Sequence, residues 1–169
     1  GKPVLAGLMV AGQVEGRSVQ TVESLMPGGR LSAIQEAMLD AGVVQSAYNA
    51  PAAVLLLEDL LRRIPDPSED DVRDALSGLY SRSTGYVQYF LAVRLAVRRR
   101  SDPAYREAAA PDFADGLRVI GKARRRVDGV KLVTGGRAYV EDMVEPGSCV
   151  LAMLRSPWPH APIREIDTS

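Results

Sequence analysis

The sequence predicts a mainly α fold: a four-helix bundle, preceded by a short N-terminal β hairpin and followed by a C-terminal β-rich segment. Three observations carry this reading. Apolar residues recur at helical spacing between residues 31 and 99. β-branched residues alternate with polar ones near residues 18–25. After residue 126, short β-prone runs are separated by Pro and Gly.

Residues 4–14, "VLAGLMVAGQV", and 18–25, "SVQTVESL", flank the turn "EGR" and predict an edge hairpin. "MPGGR" at 26–30 breaks the chain. Leu31, Ile34, Ala37 and Met38 then fall on one helical face, and Gly42 supplies a stop. The second helix, about 50–64, carries Val54, Leu55, Leu57, Leu60, Leu61 and Ile64, an apolar surface broad enough for a central position. "PDP" at 65–67 ends it. Ser68 and Asp71 form a capping box for a short third helix, whose acids sit in the first turn where the macrodipole favours them. A fourth helix is expected from about Thr84 to Arg99, its Arg-rich end matching the negative pole. Short connections between such helices predict a bundle.

The domain reading follows: a hairpin at 1–25, the bundle at 26–100, an Ala/Asp/Pro-rich linker at 101–125, and a new module opening at 126–169. Exposed strand edges in that last segment would invite a second copy, giving a homodimer.

Composition narrows the function classes. Hydrophobic residues make up 46% of the 169, ordinary for a globular chain. Lys+Arg and Asp+Glu balance at 21 each, so no basic surplus points to nucleic acid. No apolar run approaches the roughly 20 residues that span a bilayer, so no membrane is expected. Cys149 is the one thiol, which favours a reducing, cytoplasmic setting. With His160 the one histidine, a Cys/His zinc site lacks ligands. Arg155, Ser156 and His160 have no acid placed to orient the histidine, so nucleophilic catalysis is not expected there. Gly135 and Gly136 read as a turn, since no Lys-Ser/Thr follows them to make a phosphate loop.

Two helices begin with small polar clusters, "QSAYNAP" at 45–51 and "SGLYSRSTGY" at 77–86. The first resembles the Q-C-G-F-C-T-P motif of the iron–sulfur domain of the xanthine dehydrogenase and aldehyde oxidase family. The second resembles that family's S-G-N-L-C-R-C-T-G-Y. "GKPVLAGLMVAGQVEGRSVQTVESL" at 1–25 is similar to the end of the preceding ferredoxin-like domain. "GKARRRVDGVKLVTGGRAYVEDM" and "MLRSPWPHAPIREIDTS" resemble the start of the molybdopterin-binding part, an α/β hammerhead-like domain. The resemblance covers nearly the whole chain, in the family's order.

It implies a molybdenum hydroxylase that oxidises aldehydes or N-heterocycles and exports electrons through iron–sulfur clusters. In the family, four cysteines hold one [2Fe-2S] cluster. The matching positions here are Ser46, Asn49, Ser81 and Ser83, and Gly7 stands at a ligand position of the preceding domain. Neutral hydroxyls and an amide bind iron weakly, so a cluster is expected to be absent and the segment to act as a scaffold without catalytic residues. Their side chains are expected instead to cap the helix starts, Asn49 for the second helix and Ser83 or Thr84 for the fourth. By resemblance, Gln45 and Ser83 touch the pterin of a molybdopterin held by a catalytic domain of the same polypeptide. The plainer alternative has both residues bonding their own backbone. A second functional reading is an interaction or assembly module that has lost redox chemistry.

Overall fold

The computed structural model describes residues 1–106, 116–136 and 139–167, and the chain divides into two units, 1–138 and 139–169. Among its described residues the first unit holds five α-helices: α1 Ala33–Asp40, α2 Asn49–Arg63, α3 Glu69–Leu76, α4 Gln88–Ser101 and α5 Gly129–Thr134. α1 packs chiefly on α4, α2 on α3, and α5 against both α1 and α2.

Local chemistry explains the helix ends. Ser32 caps α1 through its Oγ, which accepts from the Gln35 N–H at 3.3 Å, while Gln35 Oε1 accepts from the Ser32 N–H at 2.8 Å. The Ser68–Asp71 box at α3 has the same reciprocal form. α2 stops at Arg63 because Ile64 turns extended before Pro65, a residue that disfavours helix in its predecessor. Gly135, at φ 73°, ends α5 in the left-handed conformation, and the Gly136 N–H returns to the Lys131 carbonyl at 2.8 Å.

The core joins Ile34 and Met38 of α1, Val54, Leu57, Leu60 and Leu61 of α2, Val93 and Leu95 of α4, and Val133 of α5. Each such side chain contributes about 1.5–3 kcal/mol by leaving water. α5 is too short to be stable alone. It is held by burial of Leu132 and Val133, and by Gln35, which is fully buried and donates from Nε2 to the Val133 carbonyl at 2.9 Å.

The expected β elements are corrected by this structure. No strand occurs among the described residues. The N-terminal hairpin is replaced by 3-10 turns at Ala6–Leu8, Ala11–Val14 and Val22–Leu25. The C-terminal β-rich segment instead contributes α5 to the first unit and a 3-10 turn at Val140–Asp142 to the second. The reason is pairing: β-branched residues favour a pleated surface only where a neighbouring strand and a buried face exist. Here Val4, Leu8 and Val10, and in the second unit Val150, Leu151 and Leu154, are exposed and form no ladder. The backbone of the first segment is satisfied locally, the Leu8 N–H bonding Leu5 and the Gln13 N–H bonding Val10. Part of the expected linker, residues 107–115, lies outside the described residues, as do 137–138 of "VTGGRA" and 168–169 of "IREIDTS".

α4 begins at Gln88 rather than Thr84. Thr84 and Gly85 both have φ 60°, a left-handed conformation that a right-handed helix cannot include.

Candidate functional site

The two polar clusters meet. The start of α2 and the loop before α4 are joined by a hydrogen bond from Asn49 Nδ2 to Ser83 Oγ at 3.1 Å. On either side of it the backbone repeats a motif. Ser46 Oγ accepts from the Tyr48 N–H at 3.2 Å, and Ser81 Oγ accepts from the Ser83 N–H at 3.0 Å. Both are side-chain turns in which a serine bonds the backbone two residues on. Thr84 Oγ1 donates to the Ser83 carbonyl at 2.8 Å. Ser46, Asn49 and Ser83 are half-buried, while Gln45 and Ser81 are exposed.

The capping expectation is corrected. α2 is preceded by Tyr48 and α4 by Val87, both in helical backbone geometry and neither making a side-chain cap. The first N–H groups turn to nearby carbonyls instead, Ala50 to Ser46 at 2.9 Å and Tyr89 to Tyr86 at 3.2 Å. Asn49 lies one position inside its helix, so its amide points across to Ser83 rather than back to its own backbone.

A second set of contacts fixes this corner from behind. The Gln45 carbonyl accepts from Arg126 Nη1 at 2.8 Å. Asp128 holds the same guanidinium, raising the Arg126 pKa and lowering its own. Next along the chain, Arg125 bonds Asp40 at the end of α1, and Arg99 of α4 reaches the same carboxylate at 2.5 Å. Partial burial pushes the Asp40 carboxyl up, but hydrogen bonds from Arg125 and Arg99 outweigh it and hold the pKa below the usual range. Arg99 is only 6% exposed, and its Nε and Nη1 find no partner among the described residues. Asp40 is thus its compensating charge. Sequence reading missed Arg126, Asp40 and Gln35. Only the Ser32-x-x-Gln35 spacing offered a signal, as a capping box.

Gly7 stands apart in the exposed Ala6–Leu8 turn, with open space where a side chain would project. Cys149 is exposed, as are Arg155, Ser156 and His160. No group of three or more His, Cys, Asp or Glu placed to hold a metal occurs among the described residues. No described helix is long and apolar enough to cross a membrane.

Residues 21–94, which contain both polar clusters, match the family model of the [2Fe-2S] binding domain. Over all 169 residues the chain is 47% identical to "Probable hypoxanthine oxidase XdhD" of Escherichia coli strain K12, of which it spans 18%. These matches support a member of the molybdenum hydroxylase family. It is also 38% identical over 99 residues to the nicotinate dehydrogenase small FeS subunit of Eubacterium barkeri, covering 59% of this chain and 63% of that one. Against the aldehyde oxidoreductase of Megalodesulfovibrio gigas it is 29% identical over 163 residues, 92% of this chain and 18% of that protein. The chain therefore spans under a fifth of two of these oxidoreductases. Within the family, the matched domain is the one that binds a [2Fe-2S] cluster.

Proposed function

We propose that this chain is a cluster-free scaffold within a molybdenum hydroxylase. It would keep the fold of the iron–sulfur domain without its redox centre. The observation that carries this is the donor set at the joined corner. By resemblance Ser46, Asn49, Ser81 and Ser83 stand at the cluster-ligand positions, and the chain's single cysteine is Cys149. A [2Fe-2S] cluster is held by thiolates, and these residues do not fit it. Neutral hydroxyls and an amide are poor iron ligands. Each side chain is also committed to a hydrogen bond within the corner.

The same bonds suggest what replaces the cluster. Ser46 and Ser81 take up backbone N–H groups, and Asn49 ties the two segments together across the place where a cluster would bridge them. The fold is thereby closed by hydrogen bonds rather than by metal.

On this reading the domains are the end of a ferredoxin-like domain at 1–25, a bundle at 26–100, a linker at 101–125 and the start of a molybdopterin-binding domain at 126–169. The partner is the catalytic molybdopterin domain of the same polypeptide. Exposed Gln45 and half-buried Ser83 would supply hydrogen bonds to the pterin of that cofactor. When bound, it would supply oxygen and electron transfer outside this chain, whose own residues would only position and cover it.

The test is iron and acid-labile sulfide per chain after anaerobic reconstitution. Near-zero iron is expected. Two irons and two sulfides per chain, with a charge-transfer spectrum, would overturn the reading.

A second reading is an assembly module without catalysis, favoured by exposed Tyr48, Tyr80, Tyr86 and Val87 around the corner. Molybdenum and pterin content of the full-length protein separates the two. Stoichiometric cofactor supports the hydroxylase, and background metal in well-expressed protein supports the module.

A further inference from the structure

We propose that the cleft between α3 and the 79–87 loop binds a small planar aromatic carboxylate. The cleft has a volume of about 380 Å³, inside the range of about 300–1,000 Å³ that small-molecule sites occupy. Its lining combines three chemistries. Leu76, Leu79 and Phe90 supply apolar surface; Tyr86 and Tyr89 add rings with hydroxyls; Ser81, Ser83 and Thr84 add further hydroxyls.

Arg73 is the one charged residue in that lining. Its guanidinium lies 5.1 Å from the centre of the Phe90 ring, so cation–π attraction sets its position before a ligand arrives. Its present partner is Asp70, at 2.5 Å on the adjacent turn of α3, with a side chain 92% exposed. Such a solvated pair is weak and readily exchanged. A carboxylate that reaches the cleft offers Arg73 a charge-assisted partner in place of the solvated Asp70 pair.

The loop adds an independent observation. Thr84 is the one non-glycine residue with positive φ among the described residues, and it lines this cleft. Left-handed backbone is costly for a β-branched side chain, and strain of this kind collects at ligand clamps. With Gly85 it folds the loop back on itself, the Gly85 N–H bonding the Ser83 carbonyl at 2.8 Å.

Charge and shape together select the ligand. An uncharged ring gains stacking but leaves Arg73 with Asp70. A non-planar carboxylate pairs with Arg73 but loses the aromatic wall. A planar aromatic carboxylate uses both. Ser81 and Ser83 line the cleft and stand at the positions that resemble cluster ligands, so the proposal rests on the cluster-free reading. Bound iron and sulfide would overturn that reading, whereas unchanged affinity in R73A of the iron-free chain would overturn this one.

The experiment titrates the full 169-residue chain, labelled with nitrogen-15, with 4-hydroxybenzoate and follows backbone amide shifts. Saturable shifts are expected at Arg73 and through Ser81–Phe90. Phenol and cyclohexanecarboxylate should each bind at least about tenfold more weakly, a loss of about 1.4 kcal/mol. Arg73 is exposed, so R73A should keep its melting temperature while losing affinity at least about tenfold, and R73K should fall between. Shifts that do not saturate, shifts centred elsewhere, unchanged affinity in R73A, or equal binding of either comparison probe would overturn the proposal.

Discussion

Asn49 Nδ2 donates to Ser83 Oγ at 3.1 Å, one side-chain bond that joins the start of α2 to the loop before α4 across 34 positions of sequence. Its worth is measurable by a double-mutant cycle of Asn49→Ala and Ser83→Ala. The expected coupling energy is about 0.5–1.5 kcal/mol, that of a single intramolecular hydrogen bond. Chemical denaturation of the two single variants and the double variant gives it directly. Strictly additive losses would mean that the two segments are held by packing alone.

Restoring thiolates at the corner tests whether the fold still has the geometry of a cluster site. The variant with Ser46→Cys, Asn49→Cys, Ser81→Cys and Ser83→Cys should take up iron and sulfide on anaerobic reconstitution and develop a charge-transfer band. A colourless variant that remains folded would show that the corner has drifted from that geometry.

Asp40 should contribute to the acid sensitivity of the bundle. Its pKa is lowered in the folded chain, so its contribution is fully present above the unfolded value of about 3.9 and is lost as pH falls below it. Asp40→Asn should flatten that acid limb and cost about 3 kcal/mol at neutral pH. That is the low end for breaking a buried pair, because Asp40 is partly exposed while Arg99 is not. Urea midpoints at neutral and acid pH check both statements, and a variant with the wild-type acid limb would refute them.

Two glycines hold α5 in place. A Cβ on Gly135 would lie 2.8 Å from Val22 Cγ1 in a backbone with φ 73°, and one on Gly129 would lie 2.7 Å from Leu39 Cδ2. Gly135→Ala should cost about 1–2 kcal/mol for the left-handed backbone alone, and overpacking adds to it. Gly129→Ala should cost about 1–3 kcal/mol through overpacking. Thermal melts of each variant give the comparison, with Gly16→Ala as a control for φ without crowding.

Much of the bundle was legible because helices announce themselves locally. Ile34 and Met38 follow the helical period, and Ser68 with Asp71 spells out a cap. The helix-start residues were legible as a pair through the repeated polar clusters and the resemblance they carry. Their bonding was not. Asn49 was expected to cap its own helix, but only the fold brings Ser83 within its reach. The β elements were misread because "SVQTVESL" and "CVLAMLRS" have strand composition without a partner strand. α5 was misread for the converse reason. Its β-branched valines and threonine are weak helix formers, and burial of Leu132 and Val133 overrides that preference.

Period, caps and composition are properties of neighbours in sequence. They determined four of the helices, the two polar clusters and the absence of thiols from them. Tertiary structure decided what those clusters do. Long-range contacts arise only when the chain closes on itself: Asn49 with Ser83, Arg126 with Gln45, Arg125 and Arg99 with Asp40, and Arg73 over Phe90. A hydrogen bond acts over about 3 Å, and no local pattern encodes which distant side chain will arrive within it.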